Sequence, residues 1–100
     1  MRLAQVRGTV VSTVKDDSLM GVKLLLVQLI DESGVLQSDY EVAADVVGAG
    51  VGEWVLVSRG SGARQHQGYH QRPIDAAIIA IVDTVSLDSG PLYDKRQEGY

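Results

Sequence analysis

Hydrophobic and polar residues alternate along the beginning of the chain. Small or apolar residues fall on one parity, at Ala4, Val6, Gly8, Val10 and Val14. Polar side chains fall mainly on the other parity. A period of two is typical of a strand with one buried face and one solvent-facing face. The pattern therefore predicts a half-buried first strand, followed by a polar turn at 16–18.

The second apolar segment, residues 22–30, differs because both of its parities are apolar after Lys23. Such a strand is expected to be covered on both faces. The barrel interior is the candidate for one cover, and a neighbouring copy of the chain is the candidate for the other. A tight turn at 31–34, built from Asp, Glu, Ser and Gly, is predicted to follow it.

Shorter apolar segments follow, separated by glycines and polar residues. The elements predicted there are strands at 40–44, 54–58 and 78–85, a single helical turn at 73–75, a polar loop at 60–72 and a charged tail at 88–100. The last strand is expected to end at Gly90 and Pro91. Because no period of 3.6 is sustained, the sequence predicts one all-β domain over 1–100. We expect a small five-stranded OB-like barrel with one short helical turn.

Composition narrows the classes of function. The net charge of −4 disfavours nucleic acids and anionic membranes as partners, because both are bound by cationic surfaces. The chain has no Cys, which excludes disulfides and thiolate metal sites. Its longest apolar run, residues 76–82, is too short to cross a bilayer. We therefore expect a cytoplasmic protein with no membrane or nucleic-acid partner.

Three closely spaced glycines, Gly48, Gly50 and Gly52, invite comparison with a phosphate-binding loop. A dinucleotide site needs a strand before the glycines and a helix after them, whereas here the strand pattern of 54–58 follows. The better hypothesis is that Gly48 and Gly50 serve a tight crossover that needs positive φ or a close backbone approach. No cofactor is predicted.

Other candidate chemistry is sparse. His66 and His70 are four residues apart, but a glycine lies between them and no third ligand is near in sequence, so no metal is predicted. Arg59, Arg64 and Arg72 form a basic cluster suited to a carboxylate-bearing partner, with a solvated loop as the alternative. Nothing in the sequence brings Ser, His and Asp together as a catalytic group, so the chain is not expected to be an enzyme.

An OB-like barrel is also a scaffold for binding single-stranded nucleic acid, whose bases stack on aromatic side chains. The aromatic residues are scattered, at Tyr40, Trp54, Tyr69, Tyr93 and Tyr100. An OB-fold binding module for single-stranded nucleic acid or another ligand is therefore the alternative function.

Four segments carry a resemblance to a known family. They are 1–10, MRLAQVRGTV; 21–27, GVKLLLV; 45–57, DVVGAGVGEWVLV, continuing to 60–64, GSGAR; and 73–83, PIDAAIIAIVD. In this order and spacing they resemble the CcmL/EutN family, the pentameric vertex proteins of bacterial microcompartment shells. The sequence is most similar to the cyanobacterial carboxysome members of that family. Gly62 departs from the family pattern, which usually has a small hydroxyl residue or alanine there.

The resemblance implies a homopentamer that caps the vertices of a carboxysome shell in the bacterial cytoplasm and contacts hexameric shell proteins. Residues expected near subunit contacts are Leu25, Val27, Leu29, Asp45, Gly48, Ala49, Gly50 and Gly52. Residues expected at a pore or shell contact are Arg59, Ser61, Gly62, Arg64 and Arg72. The apolar strand and the glycine crossover suggest the subunit contacts independently, whereas the number five and the shell follow from the resemblance alone.

Overall fold

The computed structural model describes residues 1–13, 15–60 and 74–97, and these residues form seven strands. The strands are β1 Arg2–Val10, β2 Leu24–Ile30, β3 Leu36–Asp45, β4 Trp54–Arg59, β5 Ala76–Ile81, β6 Thr84–Leu87 and β7 Gly90–Asp94. Within the same residues the helical segments are two 3₁₀ turns, Asp17–Leu19 and Lys95–Gln97. Neither is long enough to span a membrane.

Strands β1 to β5 close into a barrel in the order β1-β2-β3-β5-β4, with β4 pairing back to β1. All neighbours are antiparallel except β3 and β5, which run parallel over a short stretch at the end of β3. A bulge between Val6 and Gly8 interrupts the pairing of β1 with β2, and β1 pairs with β4 along its other edge. The predicted small five-stranded, OB-like barrel is confirmed.

Aliphatic side chains fill the interior of this barrel. They come from alternate positions of all five barrel strands, and the buried set is Ala4, Val6, Leu25, Val27, Leu29, Ala43, Val55, Val57, Ala76 and Ile78, with Ala49 from the segment between β3 and β4. Full burial of each Val, Leu or Ile stabilises the fold by about 1.5–3 kcal/mol. Branched aliphatic residues suit the narrow interior of a five-stranded barrel, where a large aromatic ring has little room.

A second apolar cluster lies apart from this core. Ala44, Ile74 and Ala77 are buried there, and Leu19 from the loop between β1 and β2 packs against them together with Leu24 of β2. The second face of β2 is therefore covered at Leu24 by the same chain.

Two predicted strands have different bounds in the structure. The strand predicted at 40–44 is the second half of the longer β3, because pairing with β2 extends the strand through a polar stretch that has no apolar pattern. The strand predicted at 78–85 is two strands, because β5 ends at Ile81 and β6 begins at Thr84, with the chain leaving the barrel at Asp83. The Val82 N–H makes the last bond to β4, at the Trp54 carbonyl, and the Asp83 carbonyl then accepts the Lys95 N–H, each at 2.8 Å.

The predicted helical turn and charged tail also differ from the structure. Ile74 and Asp75 form no helix, and Pro73 lies outside the described residues, as do Val14 and residues 61–72 of the polar loop. The predicted tail is a hairpin over much of its length, in which β6 pairs with β7. Gly90 has φ 132° at its turn, and Tyr93 is buried. The buried Tyr93 side chain anchors this segment. The charged composition of the tail gave no indication of this anchoring.

Candidate subunit-contact surfaces

The segment that joins β3 to β4, residues 45–53, is called the crossover here. Its middle is anchored in the barrel, because the Ala49 side chain belongs to the buried core. Its end runs beside β1, where the Gly52 N–H donates to the Val6 carbonyl at 2.8 Å and the Val6 N–H donates to the Glu53 carbonyl at 2.9 Å. The Gln5 side-chain amide also donates to the Gly52 carbonyl, at 3.0 Å. The crossover is thus tied to the barrel along its length.

A buried carboxylate organises the first half of the crossover. The Asp45 carboxylate accepts hydrogen bonds from the backbone N–H groups of Val47, Gly48 and Ala49, at 3.1, 3.2 and 2.9 Å. The Lys23 ammonium lies 3.0 Å from the same carboxylate and also donates to the Ala49 carbonyl, at 3.2 Å. Because its buried charge has several donors, Asp45 stabilises one loop conformation.

The glycines of the crossover have different roles. Gly48 has φ 78° and Gly52 has φ 93°, in the left-handed region that favours glycine. Gly50 has no positive φ, and its N–H donates to Glu53 Oε1 at 2.6 Å. A Cβ added there would lie 3.4 Å from that oxygen, close to ordinary contact. The conformational explanation proposed for Gly48 is confirmed, whereas Gly50 has neither a positive φ nor a close backbone approach within its own subunit.

The crossover presents apolar side chains on a fixed backbone. Val51 is 60 % exposed and Val47 is 38 % exposed, although the loop beneath them is held by buried contacts. Exposed aliphatic groups on a preorganised loop lose little conformational entropy when a partner covers them. The first candidate contact surface therefore consists of Val47 and Val51.

The second candidate contact surface is the outer face of β2 and β3. The register pairs Leu26 with Val42 and Gln28 with Tyr40, so these side chains are neighbours on the solvent side. Tyr40 is 54 % exposed, Val42 is 46 % exposed and Leu26 is half-buried. This outer face, defined by Leu26, Tyr40 and Val42, is continuous with a groove of about 200 Å³ lined by Leu19, Leu24 and Ile74 among others.

The structure corrects three of the predicted interface residues. Leu25, Val27 and Leu29 are buried in the core of their own barrel, so their side chains cannot contact another subunit in this fold. The outward position on the same strand is Leu26. The inward parity of β2 is set by its register with β1, which places Val27 opposite the inward-facing Val6.

The predicted pore or shell contacts are only partly described by the structure. Arg59 ends β4 with about half of its side chain exposed, and its Nε lies 2.6 Å from Glu41 Oε1. Its charge is therefore paired within the subunit, which lowers its value as a free cation for a shell neighbour. The other predicted contacts, Ser61, Gly62, Arg64 and Arg72, lie outside the described residues.

The geometry offers little support for metal or nucleic-acid binding. In the ranges 1–13, 15–60 and 74–97, no group of three acidic or histidine side chains is placed to hold a metal ion, while His66 and His70 lie outside those ranges. OB barrels bind oligonucleotides mainly through β2 and β3. Here those two strands contain no Lys or Arg, so neither strand supplies a cation to neutralise a phosphate backbone.

Comparisons with known proteins agree with the fold and the sequence pattern. Residues 1–83 match the family described as ethanolamine utilisation protein EutN/carboxysome. The chain is 61 % identical to the carboxysome shell vertex protein CcmL of Synechococcus elongatus over 97 % of this chain and 98 % of that protein. The solved structure of Gloeobacter violaceus CcmL has 60 % identity and a TM-score of 0.93, covering 96 % of this chain and 99 % of the other. The GrpN pentameric microcompartment shell protein from Rhodospirillum rubrum has 48 % identity and a TM-score of 0.78, over 87 % and 98 %.

Proposed function

The chain belongs to the EutN/CcmL family, and from that premise we propose that it is the vertex subunit of a carboxysome shell. Five copies form a ring, and each ring occupies one corner of the shell. The protein acts there as a structural component. This role requires a rigid shape and specific edges, and it requires no reaction at any side chain.

The main structural support for the ring is that the subunit has two separate apolar surfaces on a barrel whose core is already filled. A closed ring uses a heterologous interface, in which one patch of each subunit contacts a different patch of the next. The crossover, with Val47 and Val51, supplies one patch. The outer face of β2 and β3, with Leu26, Tyr40 and Val42, supplies the other.

Asp45 and Gly48 act indirectly in this proposal. Asp45 is buried and bonded to the first half of the loop, so it sets the direction of Val47 without contacting the neighbour itself. Gly48 permits the backbone turn at the same place. Two of the residues predicted near subunit contacts therefore retain a role in the ring as supports of the contact surface.

The shell role follows from geometry. A layer tiled by six-fold subunits is flat, and closing it into a polyhedron requires five-fold positions at the corners. A small pentamer with a rigid barrel fits such a position. Its partners in this proposal are hexameric shell proteins at the edge of the ring, and the enclosed enzymes need no direct contact with it.

Native mass spectrometry of the purified chain tests the ring directly. We expect a pentamer for the wild type and a large loss of pentamer for Val42→Asp and Val51→Asp, because each places a charge in an apolar contact. Val35→Asp is the matched control, because Val35 is exposed in the turn before β3 and belongs to neither surface. A monomeric wild type, or equal loss of pentamer in all three variants, would contradict the ring.

The shell role is tested in cells. Deletion of the gene should leave shells that assemble but remain elongated or open in electron micrographs, while the enclosed enzymes keep their activity in extracts. Complementation with Val35→Asp should restore closed shells, and complementation with Val42→Asp should not. Normal closed polyhedra in the deletion strain would exclude the vertex role.

A further inference from the structure

The C-terminal hairpin, β6 and β7 with the following 3₁₀ turn, lies beyond the residues matched by the family, which end at position 83. It forms a separate two-stranded sheet beside the barrel. An isolated two-stranded hairpin is marginally stable in water, so its contacts with the barrel must hold it in place. The nature of those contacts indicates what the hairpin does.

An aromatic pair fixes the hairpin to β4. The rings of Trp54 and Tyr93 are stacked with their centroids 4.2 Å apart and their planes 8° from parallel. Leu92 of the hairpin packs over Gly34 in the turn between β2 and β3, where an added Cβ would lie 3.2 Å from its Cδ1. The hairpin therefore contacts both the start of β4 and the turn that precedes β3.

A single carboxylate connects the hairpin with the crossover. Glu53 Oε2 forms an ion pair with the Lys95 ammonium, and Glu53 Oε1 accepts the Gly50 N–H at 2.6 Å. Lys95 is itself held, because its backbone N–H donates to the Asp83 carbonyl at 2.8 Å. Both side chains of the ion pair are mostly shielded from solvent, which reduces screening of their interaction.

We propose that the C-terminal hairpin positions the crossover for assembly, with Lys95 and Glu53 as the positioning residues. Lys95 holds the Glu53 carboxylate against the Gly50 N–H, and this bond fixes the backbone beside Val51. The first half of the crossover is fixed separately by Asp45 and its end is bonded to β1, so the hairpin acts on the stretch between them, at Gly50 and Val51. The consequence for assembly rests on the proposed ring, whereas the coupling of hairpin to crossover does not.

Amide hydrogen exchange at Gly50, measured in the full-length chain, tests the coupling. Lys95→Met should speed exchange at Gly50 several-fold, because the carboxylate that accepts this N–H is then free to turn away. Arg96→Met is the matched control, because Arg96 is 86 % exposed and pairs with Asp94 within the hairpin itself. Equal Gly50 exchange in the two variants would overturn the proposal.

A ring contact could also protect Gly50, so the same comparison is made in the Val42→Asp background. That substitution lies on β3 and leaves the crossover intact while removing the ring. The several-fold difference between Lys95→Met and Arg96→Met should persist there. Its disappearance would show that the protection comes from the neighbouring subunit, and would overturn the coupling. Glu53→Gln, which removes the ion pair but keeps an acceptor for the Gly50 N–H, should give an intermediate rate, and a rate equal to that of the wild type would contradict the assigned role of the ion pair.

Dilution followed by native mass spectrometry tests the consequence for assembly. Lys95→Met should lose the pentamer at a several-fold higher protein concentration than Arg96→Met. Faster Gly50 exchange without weaker assembly would overturn the assembly step alone. A wild type that forms no pentamer would refute the proposed function, and faster Gly50 exchange in Lys95→Met would then still support the coupling of the hairpin to the crossover.

Discussion

The barrel interior and the crossover are stabilised by different physical means. The interior contains aliphatic side chains from five strands, and its stability comes from apolar burial. The crossover is fixed mainly by hydrogen bonds, which its first half makes to the Asp45 carboxylate and its second half makes to the Glu53 carboxylate and to β1. Polar anchoring leaves Val47 and Val51 unburied within the subunit. The difference explains how one short chain can both fold alone and retain apolar groups for a neighbour.

The largest expected effect is in the interior. Leu25→Ala should lower the free energy of unfolding by about 2–5 kcal/mol, because a fully buried side chain leaves a cavity in the barrel. Leu26→Ala, one residue away on the outer face, is the control and should cost less. Chemical denaturation checks both, at one fixed protein concentration because ring formation also stabilises the fold. Equal losses would remove the distinction between the two faces of β2.

The next effect is in the crossover. Asp45→Ala should cost about 3 kcal/mol, because three backbone N–H groups lose their acceptor and Lys23 loses its partner. Asp45→Asn keeps an acceptor and should cost less. Denaturant titration in the Val42→Asp background measures the loss in the subunit alone. A neutral Asp45→Ala would mean that the crossover needs no polar anchor.

Two glycines of the crossover should respond differently to substitution. Gly48→Val should destabilise the subunit by about 1–3 kcal/mol, because a β-branched residue is strained at φ 78°. Gly50→Ala should change stability by less than about 1 kcal/mol, because Gly50 has no positive φ. Thermal unfolding of both variants against wild type is the measurement. A larger loss of stability in Gly50→Ala than in Gly48→Val would show that the conformational constraint lies at Gly50 and not at Gly48.

The smallest effect concerns pH. The pKa of Glu53 lies below its ordinary value of 4.5, chiefly because Lys95 donates to the carboxylate, with the Gly50 N–H adding to the effect, while burial and the nearby Asp45 oppose it. A lowered pKa in the folded state means that the stabilisation is complete above the ordinary value and is lost as the pH falls through the folded value. The hairpin should therefore loosen in this acidic range.

Trp54 fluorescence during an acid titration reports this change, because Trp54 stacks on Tyr93 of the hairpin. The pKa of Asp94 in the hairpin is also lowered, chiefly by its hydrogen bond with the Arg96 side chain, so Lys95→Met is titrated in parallel with the wild type to isolate the effect of Glu53. The two curves should differ at neutral pH, where the wild-type Glu53 carboxylate is paired with Lys95. They should converge as the pH falls through the lowered pKa of Glu53, where the wild type loses this stabilisation. Superimposable curves would contradict a role for the ion pair in holding the hairpin.

The barrel could be predicted from the sequence because the alternation of apolar and polar residues and the glycines between strands are local signals. The crossover and the conformational role of Gly48 could also be predicted, since a glycine in a tight connection between two strands often marks a positive φ. The prediction for Leu25, Val27 and Leu29 placed them on the wrong side of their strand, because β2 is apolar on both parities and its inward face depends on register with β1. The hairpin was missed because Tyr93 is anchored by Trp54, a contact between residues far apart in the chain.

The parallel junction between β3 and β5 makes closure of the barrel a late event in synthesis. β1 is made first, but the barrel closes only when β5 docks between β3 and β4. Pairing between distant segments is slower than formation of the β2–β3 hairpin, because a longer loop must be closed. Until residues 76–81 leave the ribosome, an edge of β3 stays open beside similar edges on neighbouring nascent chains. Closely spaced ribosomes on one message should therefore favour strand exchange between unfinished subunits. Widely spaced ribosomes should favour subunits whose barrels close on their own strands.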